Sequence, residues 1–426
     1  VHWFTRHVDH RNAVALRQCS IRPDSARPQL NPVAGRPFWS SPMTRRRVTT
    51  LALCTVAAAL TGALAGCSPS VPDTLKIGVV VAQSGPFALR GQDLLRGAQM
   101  AADELNIGPY RIDGKEVKVE IVPFDDKGDV DLSVTGARQL LDGGAAALIG
   151  PLNTPQAVKM IPVVAETGKP HLFTATAASL HGLGKGNTFR LLGNDDLQAR
   201  AAASLVAETL RAQRVAVVYE SGDYGKGLNS VFTETYTKAG RKIAFAQAVD
   251  AKAEVTQDIA ARIKAEKADV VVLFSREPHL KGLFKGLQDV GHTQVTVVGS
   301  NVVRNKNVAA APIPVAALYA TATAIDPQEF PPGAKLVADF ERRFKERPVW
   351  GAHYAYDAVF AVADAAARSG SVDGATLVKH LKTQEPRTRV NTQMKFDESG
   401  EQRYASIAVY RADAGVWRLQ MRSSVW

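Results

Sequence analysis

Several short segments carry residues suited to holding a small anion without covalent chemistry. Asn153-Thr154 follows a strand-like run and opens a helical one, with Pro155 set for the first helical position. Backbone N–H groups at such a junction point at bound anions, and the Thr154 hydroxyl would add a donor or cap its own helix. Thr174-Ala175-Thr176 ends the next strand. Its spacing from Thr154 is that of adjacent βα units, so both loops reach one sheet edge; it also reads as an ordinary polar loop. Tyr224, in Gly222-Asp223-Tyr224-Gly225, can donate a hydroxyl while its ring covers apolar surface, or pack on its own domain. Gly299-Ser300-Asn301 ends a later strand and presents a neutral amide. Arg90 stands at a loop-to-helix junction in SGPFALRGQ, where it can clamp a carboxylate or carbonyl, or face solvent. Arg276 and Glu277 are weaker candidates of the same kind.

Catalytic patterns are missing. There is no G-x-S-x-G elbow, no H-E-x-x-H and no G-x-x-x-x-G-K-[ST] loop. Beyond residue 67 the histidines are 171, 181, 279, 292, 353 and 380, none at metal-ligand spacing, and no cysteine occurs. Asp125-Asp126 with Asp129 and Asp131 reads as a loop and cap series rather than a metal cluster. No metal and no cofactor is expected.

A long βα alternation must position these residues. Apolar strand runs cover 75–81, 118–124, 145–150, 170–175, 214–219, 242–249, 268–274, 294–298 and 316–323. Helical stripes lie between them, with Asp131 and Thr154 as expected N-caps. Continuous apolar strands belong to parallel sheets covered by helices on both faces. After helices near 333–347, 354–368 and 375–383 come short strands expected at 391–396, 405–410 and 416–420, a return into an earlier sheet. About 350 residues of such units exceed one doubly wound sheet, so two lobes enclosing a cleft are expected.

The chain has 426 residues and a net charge of +11. Residues 1–66 carry nine Arg and two Asp, so most of the surplus sits there and a nucleic-acid-binding body is disfavoured. Arg45-Arg46-Arg47, the apolar run 51–64 and Leu64-Ala65-Gly66-Cys67 follow the order of a secretory signal with a lipobox. Residues 43–66 are read as a lipoprotein signal peptide, Cys67 as the lipidated residue and 67–73 as its tether. Residues 1–42 fit no element of this signal; Met43 is expected as the true start, with 1–42 an over-extended or unusually long leader.

LKIGVVVAQSGPFALRGQDLLRGAQMAADELN at 75–106, PFDDKGD at 123–129, AALIGPLNT at 146–154 and FRLLGNDDLQARAAA at 189–203 form an ordered series. VVYESGDYGKG at 217–227, HYAYDAVFAVADA at 353–365 and MKFDESGEQR at 394–403 continue it. The series resembles the branched-chain amino acid (Leu/Ile/Val)-binding family of ABC transporter substrate-binding proteins. The resemblance implies an α/β type I periplasmic-binding fold, two Rossmann-like lobes with a hinge of three crossovers. Lobe 1 would hold 74–193 and 325–388, and lobe 2 would hold 194–324 and 389–426. It implies a ligand carboxylate at Asn153 and Thr154, a polar head on the Ala175 carbonyl and Thr176, and Tyr224 reaching over from lobe 2. At the position of Asn301 the family commonly carries an acid that pairs with the ligand ammonium, and at Arg90 some members carry an aromatic. Both departures tilt the expected ligand away from plain leucine, toward a carboxylate without an amine, an amide, or an amino acid held differently.

The expected function is that of an extracytoplasmic solute-binding protein of an ABC importer. It would sit in the periplasm, lipid-anchored to the envelope membrane, where Ser68 disfavours inner-membrane retention, and would deliver its ligand to permease subunits. A ligand sensor of the same fold and, remotely, a secreted enzyme are the alternatives.

Overall fold

The computed structural model describes residues 71–424 except 251, 254, 256 and 392. The expected signal peptide and Cys67 lie outside the described residues.

The first sheet begins with β1 (Thr74–Val81), in which Leu75, Ile77 and Val79–Val81 are fully buried. Then follow α1 (Ala88–Ile107), a small hairpin of β2 (Arg111–Ile112) and β3 (Lys115–Glu116), and β4 (Lys118–Asp125). The series continues through α2 (Val130–Asp142), β5 (Ala147–Ile149), α3 (Thr154–Ala165), β6 (His171–Phe173) and β7 (Thr188–Arg190). Strand order is β4-β1-β5-β6-β7, and every pairing is parallel.

The second sheet takes β8 (Val215–Glu220), β9 (Ile243–Val249), β10 (Val270–Phe274), β11 (Thr296–Gly299) and β12 (Ala317–Ala322). Its helices are α4 (Asp195–Ser204), α5 (Asp223–Lys238), α6 (Gln257–Ala265), α7 (Glu277–Asp289) and the short α8 (Lys306–Ala310). The chain then supplies α9 (Gly333–Phe344), α10 (Ala352–Ser369) and α11 (Gly374–Thr383). It returns as the antiparallel β13 (Ile407–Asp413) and β14 (Val416–Ser423), giving the order β14-β13-β12-β11-β10-β8-β9.

Helix α10 is buried nearly all round because it fills the first lobe's core against α1. Gly97 permits that approach, since a Cβ there would lie 2.0 Å from the Ala352 carbonyl oxygen. In each sheet the chain goes first to one side of its opening strand and then to the other. The order therefore reverses between β1 and β5, and again between β8 and β10. Crevices outside the carboxyl ends of strands form at these reversals.

Local expectations needed correction. The cap of α2 is Asp129, whose carboxylate accepts from the Asp131 and Leu132 N–H groups, not Asp131. Thr154 is not a cap: Asn153 takes that place, without a side-chain bond, and Thr154 begins α3. No strand forms over 391–396; apart from a single bridge of Phe396 to Gln402 the described part is irregular. Val390, Met394 and Phe396 enter the first lobe's core, so the return crossover comes later than 388. Buried Asp357 holds that segment by accepting from the backbone N–H groups of Arg389, Val390 and Asn391.

Candidate functional site

A cavity of about 300 Å³ lies where the two order reversals face each other. The first lobe contributes Arg90 after β1, Asn153 and Thr154 after β5, and Thr174 and Thr176 after β6. The second contributes Glu220 at the end of β8, Tyr224 after it, Arg276 after β10 and Asn301 after β11. Phe87, Leu152, Val302 and Trp350 make its apolar wall. Six of the seven ligand-site residues expected from sequence thus line one space. Ala175 does not.

The α3 N-terminus is open. Its first-turn N–H groups have no intrahelical acceptor, and Pro155 has none to offer. The Thr154 hydroxyl receives only a long bond from the Ala177 N–H, 3.4 Å. Thr174 is buried and its hydroxyl has no partner among the described residues, nor has Oε1 of buried Gln156, whose amide nitrogen donates to the Gly128 carbonyl.

Arg190 explains the absence of Ala175. It is fully buried, donates through Nη1 to the Ala175 carbonyl and through Nη2 to the Ala177 carbonyl at 2.9 Å, and holds both Glu401 oxygens through Nε at 3.0 Å. The carbonyl assigned by resemblance to a ligand is therefore engaged by the protein itself.

On the second lobe the Tyr224 hydroxyl donates to Asn301 Oδ1 at 2.5 Å, and Asn301 Nδ2 donates to the Thr323 hydroxyl at 3.2 Å. Tyr224 sits in the first turn of α5, not in a loop. Loss of solvation and the nearby Asp195 carboxyl push its phenol well above the usual range. Arg276 and Glu220 form an ion pair at 2.8 Å.

Beneath Thr176, Asp195 is buried in the first turn of α4. Its carboxyl is pushed up to about 7 by burial, opposed by the Thr176 hydroxyl and the Arg190 charge. Arg90 is half-buried by surface area, but protein crowds its guanidinium, which lowers it to about 10; it stays charged at neutral pH. The Asp125–Asp126 stretch holds turns: Asp125 accepts from the Gln83, Ser84 and Lys127 N–H groups, and Asp126 from the Gly128 N–H. Among the described residues no group of three or more His, Cys, Asp or Glu is placed to hold a metal ion.

Sequence reasoning missed Trp350, Gln156, Asp195 and Arg190. Trp350 precedes α10, far along the chain from α1, and only packing brings it to the cavity. Asp195 alone left a local signal, an acid paired with Asp196 after a candidate crossover.

The family model for periplasmic binding protein matches residues 74–416. The Leu/Ile/Val-binding protein BraC3 of Rhizobium johnstonii is 32% identical over 256 residues, covering 60% of this chain and 68% of that one. Among solved structures, a leucine-binding protein of Thermotoga maritima superposes with a TM-score of 0.70 at 20% identity, over 82% of this chain and 98% of its own. A solute-binding protein of an ABC transporter from Rhodopseudomonas palustris, in complex with 3,4-dihydroxybenzoic acid, does so with a TM-score of 0.70 at 18% identity, over 83% and 98%. Two sheets of this topology facing one cavity, with a family match across most of the chain, place the protein in the periplasmic binding protein family, within its Leu/Ile/Val-binding group.

Proposed function

We propose that this protein captures a small amino acid, or a related carboxylate or amide, outside the cytoplasm and delivers it to the permease of an ABC importer. One observation carries the reading: the cavity joins the order reversals of both sheets, and the first lobe meets it with an open helix N-terminus. A carboxylate fits there, because unsatisfied N–H groups and the helix dipole favour negative charge. Asn153 and Thr154 hold it, Thr176 binds beside them, and Tyr224 and Asn301 close over it from the second lobe. Ligand that touches both lobes favours the closed form by its extra contacts there, and the permease reads closure. Nothing in the cycle needs covalent chemistry, so the protein acts as a binder and not an enzyme.

The named relatives support a carboxylate head: leucine-type amino acids and 3,4-dihydroxybenzoic acid share that group. The position of Asn301 offers no charge to an ammonium, and its amide is already bonded on both sides. Cys67 anchors the protein by lipid at the envelope membrane, a reading that rests on its sequence context alone.

A thermal-shift screen of amino acids, aromatic acids, dicarboxylates and amides, followed by calorimetry, tests the main reading. One class should bind stoichiometrically; turnover of a substrate without saturable binding would point to the enzyme alternative instead. Cys67→Ala should abolish lipid labelling and release the protein from membranes, and persistent label refutes the anchor.

A further inference from the structure

The geometry points to a second anion subsite at Arg90, and from it we infer that the solute is a short dicarboxylate, with or without an amino group. The inference rests on the proposed solute-capture role and specifies the far end of the ligand.

Arg90 is the third residue of α1 and lines the cavity. A cation in the first turn of a helix opposes the helix dipole, so the position is unfavourable unless an anion accompanies it. Among the described residues no such anion belongs to the protein. Glu220 is paired with Arg276 at 2.8 Å. Asp93, one turn on, accepts from the Val349 and Trp350 N–H groups at 2.5 and 2.7 Å. The one aromatic contact of Arg90, with its guanidinium 5.7 Å from the Trp350 ring centre, leaves the N–H donors open. Arg304 adds a second positive charge to its surroundings and is itself matched by Asp326 at 2.5 Å.

Strand order sets the spacing. β1, β5 and β6 are consecutive in the first sheet; Thr154 and Thr176 stand a few residues past the ends of β5 and β6, and Arg90, nine residues past β1 in the first turn of α1, lines the same cavity. Neighbouring strands stand about 4.8 Å apart, so the ends of β1 and β6 lie about 10 Å apart. A carboxylate held at Thr154 and Thr176 leaves Arg90 on the β1 side of the same cavity, within reach of a second carboxylate on a short apolar spacer against Phe87 and Trp350.

Calorimetry with chain-matched pairs tests this: succinate against butanoate, glutarate against pentanoate, adipate against hexanoate, and L-glutamate against L-norvaline. In the wild type at least one diacid should bind about tenfold or more tighter than its matched monoacid. Arg90→Gln should reduce that preference to about threefold or less, weakening the diacid far more than the monoacid, and Arg90→Lys should restore part of it. Circular dichroism confirms that each variant is folded. A wild type that binds the monoacids as tightly, or a preference that survives in Arg90→Gln, overturns the dicarboxylate assignment and leaves solute capture standing. Binding of none of these acids also overturns the dicarboxylate assignment, and only failure of the whole thermal-shift screen overturns solute capture with it.

Discussion

The two rims of the cavity differ in how their polar groups are engaged. On the first lobe the α3 N-terminus, the Thr174 hydroxyl and the Arg90 guanidinium face the space without hydrogen-bond or ion-pair partners among the described residues. On the second, Tyr224 bonds Asn301, Asn301 bonds Thr323, and Arg276 pairs with Glu220. The contrast assigns an order of events. On the proposed reading, the first lobe is the prepared receptor, whose groups gain partners as ligand arrives. The second must exchange existing bonds for ligand bonds, so its net gain on closure is smaller.

The scaffolds behind the rims differ too. Arg190 pins the first-lobe loop from within the core, whereas the side chain of Arg276 is 48% exposed. Arg190→Met should therefore destabilise the fold by about 3–5 kcal/mol, leaving Glu401 and two carbonyls without their cation. Arg276→Met should cost about 1 kcal/mol or less, because its pair is screened by solvent. Denaturant unfolding of both variants reads the comparison, and equal losses would break it.

Ligand binding sharpens it further. Thr154→Ala combined with Thr176→Ala should weaken affinity for the screened carboxylate by roughly 1–4 kcal/mol. Tyr224→Phe should weaken it by about 1 kcal/mol or less, since the phenol gives up one bond to form another. If calorimetry shows the larger loss for Tyr224→Phe, the second lobe is the primary receptor and the order of events reverses.

The smallest effect concerns the wall between α1 and α10. Burial pushes the Asp93 carboxyl up to about 7, although the Val349 and Trp350 N–H groups pull the other way. The native state then holds this proton more tightly than the unfolded chain, in which an Asp titrates near about 3.9. The group's contribution to stability is full below about pH 4 and is lost as pH rises through about 7. Asp93→Asn removes the titration, so its melting temperature relative to wild type should rise between pH 5 and 8 by roughly 2–4 °C. An offset constant with pH would contradict the assignment.

Much of this was legible in the chain. Apolar runs such as 75–81 and 268–274 mark buried parallel strands because both of their faces are covered, and periodicity is a local property. Strand ends, which the same periodicity fixes, placed Thr154 and Thr176 on one sheet edge, whereas the ligand roles of Asn153, Tyr224, Asn301 and Arg90 came from the family resemblance. Caps were less legible. Asp129 and Asp131 are chemically equivalent candidates, and backbone geometry chose the first. The 391–396 segment has strand-like residues, but Asp357 takes up its backbone donors and holds it against the first lobe.

By itself the sequence determined the element series, the two-lobed class, the absence of local catalytic motifs and the residues at the strand ends. Only the tertiary structure decided which of those residues remain open to a ligand. Arg190 engages Ala175, Asn301 is engaged by Tyr224 and Thr323, and Arg90 meets the Trp350 ring but has no hydrogen-bond or ion-pair partner among the described residues. The reason is that hydrogen-bond and charge satisfaction depends on groups tens to hundreds of residues apart, and no local pattern records which of them meet.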